Sequence, residues 1–201
     1  MPALYTVAAT VYPALHAVWR QEEDGVEHIP SGGFVLAANH VSNLDPFALG
    51  WALWPDRVVH WMAKAELHNG ALDAVMRAFG TFPIRRGEVD TGALRAANEL
   101  LRSGEVIGMF PEGTRRSKGL RKKFQPKPHP GTARIALTAG VPLVPAAISG
   151  TDRLTRRGPI RIRYGPAVQV DDLAGMPRRN ASEIATERLM QAIESLYAEI
   201  S

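Results

Sequence analysis

The chain contains no cysteine. Disulfides, thiolate zinc sites, iron–sulfur clusters and a cysteine nucleophile are therefore excluded. Compartment stays open, because a cysteine-free protein survives in either redox environment. The serine elbow Gly-x-Ser-x-Gly is missing too, and no glycine-rich segment has the Walker A spacing to Gly-Lys-Ser/Thr. Lys, Arg, Asp and Glu are all absent before Arg20, so the positive region of a secretory signal is lacking. The same stretch is a poor membrane span, being barely long enough and interrupted by Thr6, Thr10, Pro13 and His16. Aromatic residues make up only 7% of the chain, and Phe124 alone interrupts its main basic run. No stacking platform for nucleic acid is visible, and nucleic acid is not an expected partner. Internal repeats and low-complexity tracts are lacking.

What is present is ordinary for a packed protein: 201 residues, 45% hydrophobic and 22% charged. That length reads as one domain and buries roughly 70% of the unfolded surface, without a disulfide or metal staple. The net charge of +4 suits acidic partners, although a merely soluble basic protein has the same balance. Near the N-terminus, Leu4, Val7, Val11, Leu15 and Val18 fall on one helical face, with Tyr12 and Trp19 beside it and Pro13 as a kink. This amphipathic apolar helix has two readings: it packs on the domain, or it lies in a membrane interface with its aromatics at headgroup depth.

Beyond it, strands and helices alternate. Apolar runs predict strands over 34–38, 58–62, 81–84, 106–110, 143–148 and 160–164. Helices are expected from Asp45 as N-cap, with Pro46 in the first turn, through 53, and over 72–79, ended by Gly80. Another is capped by Asp90 and carries Leu94, Ala97 and Leu101 on one face, and one over 132–139 is ended by Gly140. Asn180 and Glu183 read as a capping box for a last helix over 183–199. The two prolines of Val141-Pro142-Leu143-Val144-Pro145 suggest an irregular or edge strand. Alternation of this kind implies a single α/β domain, its mostly parallel central sheet flanked by helices.

Three strand exits carry polar chemistry. The first reads Asn39-His40-Val41-Ser42-Asn43-Leu44-Asp45. A tight loop there folds the Asp45 carboxylate back onto one imidazole nitrogen and leaves the other as a base able to take a proton from a hydroxyl. Spacing leaves a second reading open, a structural histidine ahead of a common Asp-Pro helix start. The second exit, Phe110-Pro111-Glu112-Gly113-Thr114-Arg115, offers a hydroxyl and a planar guanidinium that matches phosphate. Glu112 is a misfit against phosphate and fits orienting an arginine or a substrate hydroxyl. The third exit ends in Arg85-Arg86, a phosphomonoester site if arginines from separate loops converge, and otherwise solvated surface.

Together these segments resemble the glycerolipid acyltransferase family, most closely its lysophosphatidic acid acyltransferase type. The family's first block is Asn-His and, after four intervening residues, Asp, here Asn39, His40 and Asp45. The second ends a strand in arginine, here Ile84-Arg85-Arg86; the third, Phe-Pro-Glu-Gly-Thr-Arg, is complete at Phe110 to Arg115; the fourth matches Val141 to Pro145. The resemblance implies acyl transfer from a thioester donor, acyl-CoA or acyl carrier protein, to the hydroxyl of 1-acyl-glycerol-3-phosphate, giving phosphatidic acid for phospholipid synthesis. It implies His40 as general base assisted by Asp45, with no acyl-enzyme, no cofactor and no metal. Backbone amides near the helix start at Asp45 would steady the oxyanion. Arg86 and Arg115 would hold the acceptor phosphate, in a pocket shaped by Glu112, Gly113 and Thr114. Lys127, in a proline-rich link, departs from the family pattern.

Substrates of this kind place the protein at a membrane surface, peripheral or monotopic on the cytoplasmic side. Residues 1–20 are then the docking helix and 21–201 the catalytic domain. The basic run from Arg115 to Lys127 suits anionic headgroups, coenzyme A phosphates or an acidic acyl carrier protein. Acyl transfer to another lyso-lipid or hydroxylated acceptor fits the same residues. A thioester or phosphoester hydrolase using the same pair to activate water is the remaining alternative within catalysis.

Overall fold

The computed structural model describes residues 16–78, 80–84, 91–114, 128–153 and 159–201. Among these, seven strands form one sheet in the order β1-β7-β6-β2-β5-β3-β4. They are β1 (Glu22–Asp24), β2 (Phe34–Ala38), β3 (Val59–Lys64), β4 (Thr81–Ile84), β5 (Val106–Met109), β6 (Leu143–Ser149) and β7 (Arg161–Tyr164). Helices α1 (Asp45–Ala52), α2 (Gly70–Ala78), α3 (Thr91–Arg102), α4 (Gly131–Ala139) and α5 (Arg178–Ile200) connect and follow them. Strands β2 to β6 run the same way; β7 runs against β6, and β1 follows β7. The expectation of a mostly parallel sheet therefore holds.

The period of two along β2 sorts the core into two layers. Phe34, Leu36 and Ala38 face Ala48 and Leu49 of α1 and Leu53 just past its end, together with Trp61 of β3. Val35 and Ala37 face Ala97 and Leu101 of α3, Ala133 and Ala136 of α4, and Ala185, Leu189 and Ile193 of α5. Every residue of β2 is 0% exposed, which is why the strand reads as an unbroken apolar run.

Several local expectations are corrected. Pro145 lies in β6, an inner strand between β7 and β2, not at an edge. Its carbonyl accepts the N–H of Gly165 (2.9 Å), one residue past the end of β7, so its missing N–H falls where that ladder has stopped. Asp45 is the first residue of α1, with Leu44 in the cap position, because the Asp45 side chain is committed to the preceding loop instead. The last helix begins at Arg178 behind Pro177, so Asn180 lies inside the first turn and Glu183 pairs with Arg179 (3.1 Å) rather than closing a capping box.

Strand β1 has no apolar pattern to predict it. It is an edge strand held by cross-strand ion pairs, Glu22 with Arg161 (2.9 Å) and Asp24 with Arg163. The predicted N-terminal helix up to residue 15, the Asp90 cap and the basic run from Arg115 to Lys127 lie outside the described residues.

Candidate active site

Three neighbouring strands, β6, β2 and β5, end side by side; the exits of β2 and β5 are two of the three polar exits read in the sequence, whereas the exit of β6 at Gly150-Thr151 is not among them. In a parallel sheet the carboxyl ends of strands are where ligands bind. Adjacency is what assembles the site: Ala37 pairs with Met109 on one side, and Ala38 with Ala146 on the other.

The exit of β2 folds into a tight loop whose hub is Asp45, buried at 0% exposure. Its Oδ2 accepts the Val41 N–H (2.7 Å), the Ser42 N–H (2.8 Å) and the His40 ring at Nδ1 (2.8 Å). Its Oδ1 accepts the hydroxyl of Thr151 at 2.5 Å. A buried carboxylate without partners costs several kcal/mol, and here four donors replace the lost water. Bonding to the carboxylate makes Nδ1 the protonated nitrogen and directs the lone pair to Nε2. Nε2 has no partner among the described residues, and the His40 side chain is 17% exposed against 0% for Asp45. The ring is the more exposed member of the pair and the carboxylate the sealed one.

Two further supports act on the ring. His40 stacks on Phe110 with centroids 4.1 Å apart and planes 15° off parallel, and Phe110 stacks on Trp61 at 5.0 Å and 11°. Trp61 lies across Gly108 of β5: a Cβ there would sit 2.6 Å from the Trp61 ring. Behind the histidine, Asn39 is fully buried and its side-chain amide imitates one more step of a β ladder. Its Nδ2 donates to the Ile148 carbonyl (2.9 Å), and its Oδ1 accepts the Ile148 N–H (2.8 Å).

The exit of β5 is a turn whose residue types are dictated by its shape. Proline presets the second position and glycine suits the fourth. The Gly113 N–H accordingly closes on the Phe110 carbonyl (2.9 Å), with Gly113 at φ 65. Glu112, at the third position, is turned inward and is 2% exposed, while Thr114 is partly exposed. The His129 N–H returns to the Pro111 carbonyl (2.9 Å), tying the start of α4 to the same corner.

Thus His40 and Asp45 are brought together, as one of the two readings of the spacing had it, and the turn holding Glu112 and Gly113, with Thr114 after it, begins at the ring that stacks on His40. Arg86, Arg115 and Lys127 lie outside the described residues. Strand β4, which leads to Arg86, is three strands away from β2, roughly 14 Å across the sheet at the usual strand spacing. The oxyanion expectation is narrowed. The Val41 and Ser42 amides are spent on Asp45, and those of Phe47 and Ala48 on the Leu44 carbonyl (both 3.0 Å). Thr151 and the Asn39 clamp were not foreseen: their partners lie more than a hundred residues away in the chain.

Comparison with known proteins bears on the family and the fold. Residues 20–149 match the family described as Acyltransferase. A 1-acyl-sn-glycerol-3-phosphate acyltransferase of Bacillus subtilis is 31% identical over 175 residues, covering 85% of this chain and 84% of that one. A probable enzyme of the same description from Mycoplasma genitalium is 33% identical over 128 residues, covering 61% of this chain and 46% of that one. The crystal structure of the 1-acyl-sn-glycerophosphate acyltransferase PlsC from Thermotoga maritima has the same fold, with a TM-score of 0.60 over 98% of this chain and 83% of that one, at 24% identity.

Proposed function

The chain belongs to the acyltransferase family, and from that premise we propose that it moves a fatty acyl group from a thioester donor to the free hydroxyl of 1-acyl-glycerol-3-phosphate, producing phosphatidic acid. The donor is acyl-CoA or acyl carrier protein. The observation that carries the catalytic assignment is the His40–Asp45 pair, with its carboxylate saturated by donors and the Nε2 of His40 without a partner among the described residues.

In this reading Nε2 of His40 takes the proton of the acceptor hydroxyl as its oxygen attacks the thioester carbonyl. Asp45 steadies the imidazolium that forms. The tetrahedral intermediate then collapses, the carbon–sulfur bond breaks, and the thiolate leaves with the proton from Nε2. Arg86 and Arg115 hold the acceptor phosphate, and Glu112, Gly113 and Thr114 shape its pocket. No covalent acyl-enzyme is formed.

Among the described residues no helix is long and apolar enough to cross a membrane. We place the protein as a peripheral or monotopic enzyme on the cytoplasmic face of the membrane, with residues 1–20 as its docking helix and 21–201 as the catalytic domain.

Thiol release from palmitoyl-CoA, with and without lysophosphatidic acid, tests the assignment. Release that requires the acceptor, and that disappears in a folded His40→Ala protein, is the expected result. Release independent of acceptor makes the protein a thioesterase instead.

A further inference from the structure

Thr151 stands beyond the residues matched to the family, which end at 149, and beyond all four sequence blocks. It is 1% exposed, and its hydroxyl is the one described donor to Oδ1 of Asp45, at 2.5 Å. We propose that Thr151 is a positioning residue for the His40–Asp45 pair, acting through the carboxylate. The proposal rests on the general-base reading given above.

The argument is geometric. Three donors converge on Oδ2 and fix where that oxygen sits. They leave the carboxylate a rotation about the line through that oxygen. A fourth donor on Oδ1 removes it and sets the plane from which Nδ1 of His40 is addressed. Both partners are sealed from bulk solvent, and the valine methyl of a Thr151→Val variant fills the place of the hydroxyl, leaving no room for a water there.

The hydroxyl is in turn held by backbone. Strand β6 is in register with β2, and the Asn39 amide clamps Ile148 in both directions. The chain then turns at Gly150, at φ 88, where a Cβ would come within 2.3 Å of the Pro159 carbonyl oxygen. Only glycine makes that turn, and the turn delivers Thr151 to the carboxylate.

Thr151→Val keeps the shape and deletes the donor. The expected result is a fall in kcat for acyl transfer of about tenfold, the factor a hydrogen bond to a charged group carries, with the KM of both substrates unchanged. Thr151→Ser keeps the donor and restores kcat to within about twofold. A second readout needs no turnover: the downfield proton NMR signal of the His40 ring N–H, assigned by its loss in His40→Ala. It moves in Thr151→Val and stays in place in Thr151→Ser. If the valine variant does not accumulate, Thr151→Ala reads the same loss.

Full kcat in a folded Thr151→Val protein, or an unmoved ring signal, overturns the proposal. A wild type that transfers no acyl group overturns the general-base reading instead, and the ring signal still decides whether Thr151 orients the pair.

Discussion

Two histidine–aspartate pairs with the same spacing occur in this molecule. His40 and Asp45 follow β2 and open α1; His68 and Asp73 follow β3 and open α2. Their Nδ1-to-carboxylate distances are 2.8 and 2.7 Å. Everything around them is inverted. In the first pair the carboxylate is sealed and the ring reaches solvent, at 0% and 17% side-chain exposure. In the second the ring is sealed at 3% and the carboxylate stands 31% exposed, shared with Arg77 (2.9 Å). The far nitrogen of His68 meets the Thr81 hydroxyl (3.3 Å), whereas that of His40 has no partner among the described residues. Spacing makes the bond; the surroundings decide whether a nitrogen is left over for chemistry.

The largest expected effect breaks the comparison if it fails. His40→Ala should cost about a thousandfold or more in acyl transfer, within the range of a lost general base, with little change in thermal unfolding. His68→Ala should keep transfer within about threefold. It should lower the unfolding midpoint by about 4–8 °C, because it opens a buried polar network worth about 2 kcal/mol. Parallel kinetics and melting curves on the two variants check both. Equal losses of activity would mean that the second pair also serves the reaction. The Thr151→Val variant, at about tenfold, probes a buried hydroxyl donor whose place in the second pair is taken by the exposed Arg77 guanidinium.

A smaller effect sharpens the contrast. The imidazole of His40 rests on Phe110 and, through it, on Trp61. An aromatic contact of this class contributes about 0.5–1.5 kcal/mol. Phe110→Leu should therefore lower kcat by roughly two- to tenfold while leaving the acceptor KM within about twofold. Steady-state kinetics on the purified variant measure it. A rise in KM with unchanged kcat would place Phe110 against the substrate rather than behind the base.

The same contrast shows what could be read from the chain beforehand. Strands β2, β5 and β6 are sealed on both faces, so each appears as an apolar run that local reading detects. The His40–Asp45 bond is local, five residues apart, and was legible for the same reason. Thr151 and Ile148 were not, because they meet the first loop only after β6 crosses over to lie beside β2. Nor was the division of labour between the two pairs. His68 and Asp73 carry the same spacing, and nothing in ten residues of sequence tells which ring the fold will bury. Asp45 was misread as a helix cap because its carboxylate is claimed by the loop before it and by Thr151, 106 residues away. Strand β1 escaped because its stability comes from ion pairs with β7 rather than from its own pattern.

The smallest effect concerns the exposed carboxylate of the second pair. The Arg77 guanidinium first, and then His68, hold the Asp73 carboxyl below the usual carboxylate range, against a lesser opposing effect of burial. A carboxyl whose folded value is depressed binds its proton more weakly in the folded chain than in the unfolded one. Its contribution to stability is therefore fully present above the unfolded value, about 3.9, and is lost as pH falls through the lower folded value. Asp73→Asn removes that dependence and leaves the rest of the molecule intact. The difference in unfolding midpoint between wild type and variant should be constant near pH 6 and should close as the pH is lowered from about 4 towards 2. Solvent screening keeps it modest, and added salt should shrink it further. Activity at neutral pH should not follow it. A difference that persisted unchanged to pH 2 would show that Asp73 acts by neutral hydrogen bonding alone.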